Sequence, residues 1–125
     1  MTMPQHAINW FEIPVSDFER ARKFYSTILE IEMYDMIMGE NRMGFFPSEA
    51  GSVSGAIVSG KGYEPCTKGS LIYLSCGDDL SNTLGKVVEN GGSVLVPKTI
   101  ISPEYGFYAF FSDTEGNKVG LHSPH

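Results

Sequence analysis

The sequence predicts an α+β fold made of one unit used twice: a strand, a helix and three further strands. Three observations predict it. The same succession of strand and helix signals is met twice in 125 residues. Two stretches overlay without a gap, FFPSEAGSVSGAI (45–57) on FFSDTEGNKVGLH (110–122), which sets Phe45-Phe46 on Phe110-Phe111, Gly51 on Gly116 and Gly55 on Gly120. Finally, SDFERA and GDDLSN each follow a strand, so Asp17 falls near Asp78. Repetition at both levels marks a duplicated unit. The expectation is one domain over 1–125, with modules at about 6–60 and 69–123, each forming a curved mixed sheet.

Each element has its own local reason. In AINWFEIPV (7–15), Phe11, Ile13 and Val15 alternate on one face, the period of a strand. Ser16 with Glu19 three residues later is a capping-box signature. Phe18, Ala21, Tyr25 and Ile28 then recur at helical spacing to about residue 30. MYDMIM (33–38), RMGFFP (42–47) and VSGAIVS (53–59) read as the three strands that complete the unit. After a Gly-rich connector the order restarts with the strand SLIYLSC (70–76). A helix capped by Asp78 or Asp79 follows, burying Leu80, Leu84, Val87 and Val88 and stopped by Asn90-Gly91-Gly92. SVLVPKTI (93–100), FYAFFS (107–112) and KVGLH (118–122) close the second unit.

Composition excludes whole classes of function. The net charge is −6, and the nine basic residues are dispersed, which argues against a nucleic-acid partner. Uninterrupted apolar runs fall well short of the roughly 20 residues that span a bilayer, so no membrane partner is expected. The opening MTMPQHAINW lacks a basic segment followed by an apolar one, and Cys66 and Cys76 read as free thiols, so a cytoplasmic protein is expected. GAIVSGKG (55–62) falls short of a phosphate loop, because Gly62 stands where a hydroxyl residue would hold Mg²⁺.

If the helix covers Phe11, Ile13 and Val15, the other face of the first strand carries Trp10 and Glu12. If Val119 and Leu121 pack under a helix, Gly120 and His122 lie opposite, and Tyr108 and Phe110 join them from the preceding strand. Two such faces would enclose a half-open cavity. A mid-strand carboxylate beside it needs a hydrogen-bond partner or water, and Glu12 and His122 are the candidate acid–base pair.

At this point the chain resembles a family. The duplicated unit, EIPVSDFERARKFYSTILEIE with Asp17 and the Phe24-Tyr25 pair, and the Asp113-x-x-Gly116 turn are similar to the vicinal oxygen chelate superfamily. That superfamily includes glyoxalase I, extradiol dioxygenases, methylmalonyl-CoA epimerase, and the bleomycin and fosfomycin resistance proteins. The resemblance covers nearly the whole chain and implies a glyoxalase-like fold and a homodimer. It also implies one metal-ligand position on the first and last strand of each unit; by spacing these fall on Trp10, Gly55, Ile72 and Gly120. None of these side chains binds a divalent cation. A shift of two residues adds Glu12 and His122 but leaves Ile57 and Leu74 apolar in the other half.

The expectation is therefore a metal-independent, cofactor-free protein that binds or sequesters a small molecule, as resistance proteins do. Its expected lining is Trp10, Glu12, Ile57, Ile72, Tyr108, Phe110 and His122. The alternative is a lyase or isomerase related to lactoylglutathione lyase, with Glu12 and His122 as acid and base or as ligands of a nonstandard metal site.

Overall fold

A computed structural model describes residues 3–125. The first half supplies β1 (Trp10–Pro14), α1 (Phe18–Leu29), β2 (Tyr34–Met38), β3 (Asn41–Phe45) and β4 (Ser54–Ser59). The second supplies β5 (Tyr73–Ser75), α2 (Ser81–Leu84), β6 (Ser93–Ser102), β7 (Gly106–Ser112) and β8 (Lys118–Ser123). Each half makes its own four-stranded sheet, in the orders β1-β4-β3-β2 and β5-β8-β7-β6. In both, the first strand runs parallel to the last, and the other pairings are antiparallel. The α+β class and the paired strand-helix-three-strand units are as the sequence reads them.

Helix α1 buries Phe18, Ala21, Phe24, Tyr25 and Ile28. The capping box does not form. Asp17 is the N-cap, its carboxylate accepting from Arg20 N at 3.1 Å. The N–H groups of Ser16 and Asp17 go instead to the Glu115 carboxylate of the second module, at 3.0 and 2.7 Å. Glu19 is thereby released to pair with Arg42 and Arg22. Glu30 ends the helix in the left-handed region, φ 55, its N–H reaching the carbonyls of Ser26 and Thr27.

The second helix is shorter than the hydrophobic pattern suggests. After Ser81–Leu84 the bonds tighten to i→i−3, from Lys86 N to Thr83 O and Val87 N to Leu84 O, and Val88–Asn90 is a 3-10 turn. Three residues per turn carry Val88 off the stripe. Leu80 and Val87 are buried as expected, but Val88 is 65% exposed, which corrects its predicted place in the core.

One apolar cluster unites the inner faces of both sheets with α1, with the start of α2 and with the turn after it. Ile13 and Ile57 join it from the first sheet, and Ala109, Phe111, Val119 and Leu121 from the second. Each of its large side chains contributes roughly 1.5–3 kcal/mol by leaving water. The Phe24 and Phe111 rings meet at 5.8 Å between centroids, so α1 packs against the other module's sheet as well as its own. No helix among the described residues is long and apolar enough to cross a membrane.

Candidate functional site

With the helices on one side, each sheet turns its other face outward. On the first sheet that face carries Trp10, Glu12 and Pro14 from β1. In cross-strand register, Glu12 lies beside Ala56 and Ala56 beside Phe45; Pro14 lies beside Val58 and Val58 beside Met43. The Trp10 and Phe45 rings approach to 5.8 Å between centroids. On the second sheet Tyr73 lies beside Gly120 and Gly120 beside Phe110, while Ser75, His122 and Tyr108 form the next row. Phe110 is the hub: Tyr108 and Tyr73 pack against it at 5.1 and 5.8 Å, and the Lys118 ammonium stands 4.6 Å from its centroid.

These registers give the exact correspondence of the modules. Glu12–Ala56–Phe45 matches Tyr73–Gly120–Phe110. Gly120 therefore corresponds to Ala56, not to Gly55 as the gapless overlay proposed. The chain takes one residue more between Phe45 and Ala56 than between Phe110 and Gly120. A slip of one turns a strand over. Gly55 accordingly faces the core, where the carbonyl and ring of Phe11 occupy the space a Cβ would need. For the same reason Ile57 is fully buried in the main core, not in the lining. Ile72 shares the inner face with Leu74 and packs on that core, and Tyr73 holds the outward place expected of Ile72.

Gly120 has a physical role in this arrangement. A Cβ there would lie 2.6 Å from a carbon of the Tyr73 ring, so the absence of a side chain lets the ring lie on the strand. Gly120→Ala is expected to cost roughly 1–3 kcal/mol, the usual penalty of overpacking. The cost should fall sharply in a Tyr73→Ala background. Urea unfolding of the two single variants and the double variant measures this, and simple additivity would refute the packing account.

Glu12 and His122 are engaged separately. The carboxylate of Glu12 accepts a 2.9 Å hydrogen bond from the Tyr63 hydroxyl. His122 Nε2 lies 2.6 Å from the Tyr105 carbonyl oxygen, an acceptor, so that nitrogen carries the hydrogen. They share no hydrogen bond. Tyr63 is the residue that sequence reasoning missed. It comes from the connector and packs over Met43, Ala56 and Val58, where its bond to Glu12 raises the phenol's pKa. Its signal was a lone aromatic in the Gly-rich stretch GKGYEP.

A cavity of about 210 Å³ opens beside Glu12, between β1 and the start of β8. Pro14, Ile72 and Val119 line its apolar part, and Glu64 and Lys118 add charge. Among the described residues no three His, Cys, Asp or Glu side chains gather as a cation's ligand set. The matching first- and last-strand positions hold Glu12, Ala56, Tyr73 and Gly120, which do not fit the metal that the family resemblance implies. Cys66 and Cys76 are both free; burial raises the pKa of Cys76.

Comparison with known proteins agrees with this architecture. Residues 7–121 match the sequence profile of the glyoxalase/bleomycin resistance protein/dioxygenase superfamily, and the chain belongs to that family. A glyoxylase-like domain-containing protein of Didymella fabae is 33% identical over 113 residues, 88% of each chain. TnmS3, an antibiotic binding protein from Streptomyces sp. CB03234, superposes with a TM-score of 0.67 at 26% identity, covering 99% of this chain and all of that one. A glyoxalase/bleomycin resistance protein from the same Streptomyces gives 0.66 at 29% identity over 91% and 97% of the two chains. Glyoxalase I from Zea mays shares the fold, with a TM-score of 0.70 at 15% identity, over 92% of this chain and 43% of its own length.

Proposed function

We propose that this protein binds and sequesters a small aromatic molecule on the outward faces of its sheets, without a metal. It does so as a cytoplasmic homodimer whose second copy closes the cavity. One observation carries the reading: both outward faces present aromatic rings, with Trp10 and Tyr73 40% and 50% exposed. Rings gathered on one exposed face suit flat apolar guests. The edge strands support pairing of copies, since Tyr34, Ile37, Ile100 and Ile101 are also exposed. The whole-length similarity to an antibiotic binding protein agrees with a binder. The lyase or isomerase reading gains no support from Glu12 and His122, because each is held by its own partner.

Trp10 is the chain's one tryptophan, so its fluorescence reports on the site directly. Titration with planar aromatic antibiotics is expected to quench it at one ligand per site, while light scattering reads a dimer. Turnover of a methylglyoxal–thiol adduct that disappears in Glu12→Gln would overturn the reading. So would one equivalent of transition metal per chain after purification without chelator.

A further inference from the structure

We infer that Tyr63 is a built-in stand-in for the ligand, and that the natural guest is a hydroxylated aromatic molecule whose O–H takes the place of the Tyr63 hydroxyl on Glu12. The inference rests on the reading of the outward faces as the binding site and adds the ligand's chemistry and the residue that gates it.

Tyr63 is not part of either sheet. It lies in the connector between β4 and β5, with Gly62 before it at φ +90 in open space, a backbone state that glycine adopts without strain. From there the side chain reaches back over the first sheet. Its ring packs on the patch of Met43, Ala56 and Val58, to which Phe45 also belongs. Its hydroxyl meets the carboxylate of Glu12 at 2.9 Å. Ring on an apolar patch with a donor on a carboxylate is how a phenol would be recognised there. The second module lacks this arrangement, because Tyr73 stands at the position matching Glu12.

The cavity beside Glu12 indicates where a displaced or larger ring extends. Glu12 and Glu64, the residue after Tyr63, both line that cavity, so it adjoins the carboxylate that holds the Tyr63 hydroxyl. A guest without a donor would leave the Glu12 carboxylate without its phenol partner, a penalty that hydrogen bonds to charged groups make large. Discrimination for the hydroxyl then comes from Glu12, and affinity is lowered by the fraction of time that Tyr63 fills its own site.

The experiment compares 2-naphthol and naphthalene by calorimetry on the full chain, with Tyr63→Ala, Tyr63→Phe and Tyr63→Ala/Glu12→Gln variants. The expected result is 2-naphthol binding about tenfold tighter to Tyr63→Ala than to wild type. Tyr63→Phe, which keeps the packing and loses only the latch, should lie between them. In Tyr63→Ala, 2-naphthol should exceed naphthalene by about tenfold, and the added Glu12→Gln should erase that preference. If both probes bind but neither Tyr63 substitution tightens binding, or the hydroxyl is not preferred, this inference fails and the aromatic site stands. If neither probe binds wild type or any variant, the site reading fails with it.

Discussion

Replacing Asp113 by alanine is expected to lower the stability of the fold by about 3–5 kcal/mol, the largest effect of any single polar substitution here. Asp113 is 4% exposed and accepts four hydrogen bonds. One oxygen takes the N–H groups of Glu115 and Asn117, both at 2.8 Å, and shapes the turn between β7 and β8. The other takes the Tyr25 hydroxyl at 2.7 Å and Asn117 Nδ2 at 3.0 Å. Asn117 continues the network to the Pro14 carbonyl and to the Cys66 N–H. The carboxylate thus ties α1, β1 and the connector to the second sheet. Alanine would strand these buried donors, and each unpaired one costs about 1–3 kcal/mol. Asp113→Asn keeps one acceptor and should lose less. Tyr25→Phe removes only a bond whose acceptor is still paired with Asn117 and should cost about 1 kcal/mol. Urea midpoints of the three variants give the ranking. A loss under about 1 kcal/mol for Asp113→Ala would mean that the network is not what joins the modules.

That network shows how much the chain discloses by itself. Asp113, Gly116 and the Phe24-Tyr25 pair stand out as family-like residues in the sequence, but nothing local says that the Tyr25 hydroxyl rests on Asp113. Strand periodicity put Trp10 and Glu12 outward and Ile13 inward, because alternation is set within a strand. Register is not set within a strand. Ile57 and Gly55 were misplaced because one extra residue between β3 and β4 is invisible to an overlay that matches glycines. Ile72 reaches the cavity beside Glu12 from the inner face rather than the outward one, because β5 is three residues long, too short for its phase to be read from a pattern. Tyr63 has no periodic context, and its role exists only because the connector folds back across β4. Val88 failed through helix pitch, which hydrophobic spacing alone assumes to be α-helical. What escaped is what depends on distant partners. The aromatic faces were legible, and the residue that covers one of them was not.

Glu115→Gln should weaken the fold at neutral pH by about 1–3 kcal/mol and remove part of its acid sensitivity. The Glu115 side chain is buried against α1 from across the chain. Burial raises its pKa, but this is outweighed by the hydrogen bond from Arg20, by the N–H groups of Asp17 and Ser16 and by the Thr114 hydroxyl. The net result lies below the ordinary 4.5. A carboxyl with a depressed folded pKa adds stability that is complete above its unfolded pKa and is lost as pH falls through the folded one. The wild type should therefore lose this contribution from about pH 5 downward, and Glu115→Gln, which cannot titrate, should not. Other carboxylates give both proteins a common slope; Asp79, held at about 2 mainly by its hydrogen bond from Lys98, is one of them. The informative quantity is thus the difference between the two stability curves, measured by urea unfolding from pH 7 to pH 3. Arg20→Met separates ion pair from helix cap. Arg20 is half exposed, and an exposed pair is worth about 1 kcal/mol or less, so this variant should lose less than Glu115→Gln. Two parallel curves would show that Glu115 holds the start of α1 by shape alone. A converging pair would show that its charge on the Ser16 and Asp17 N–H groups does so.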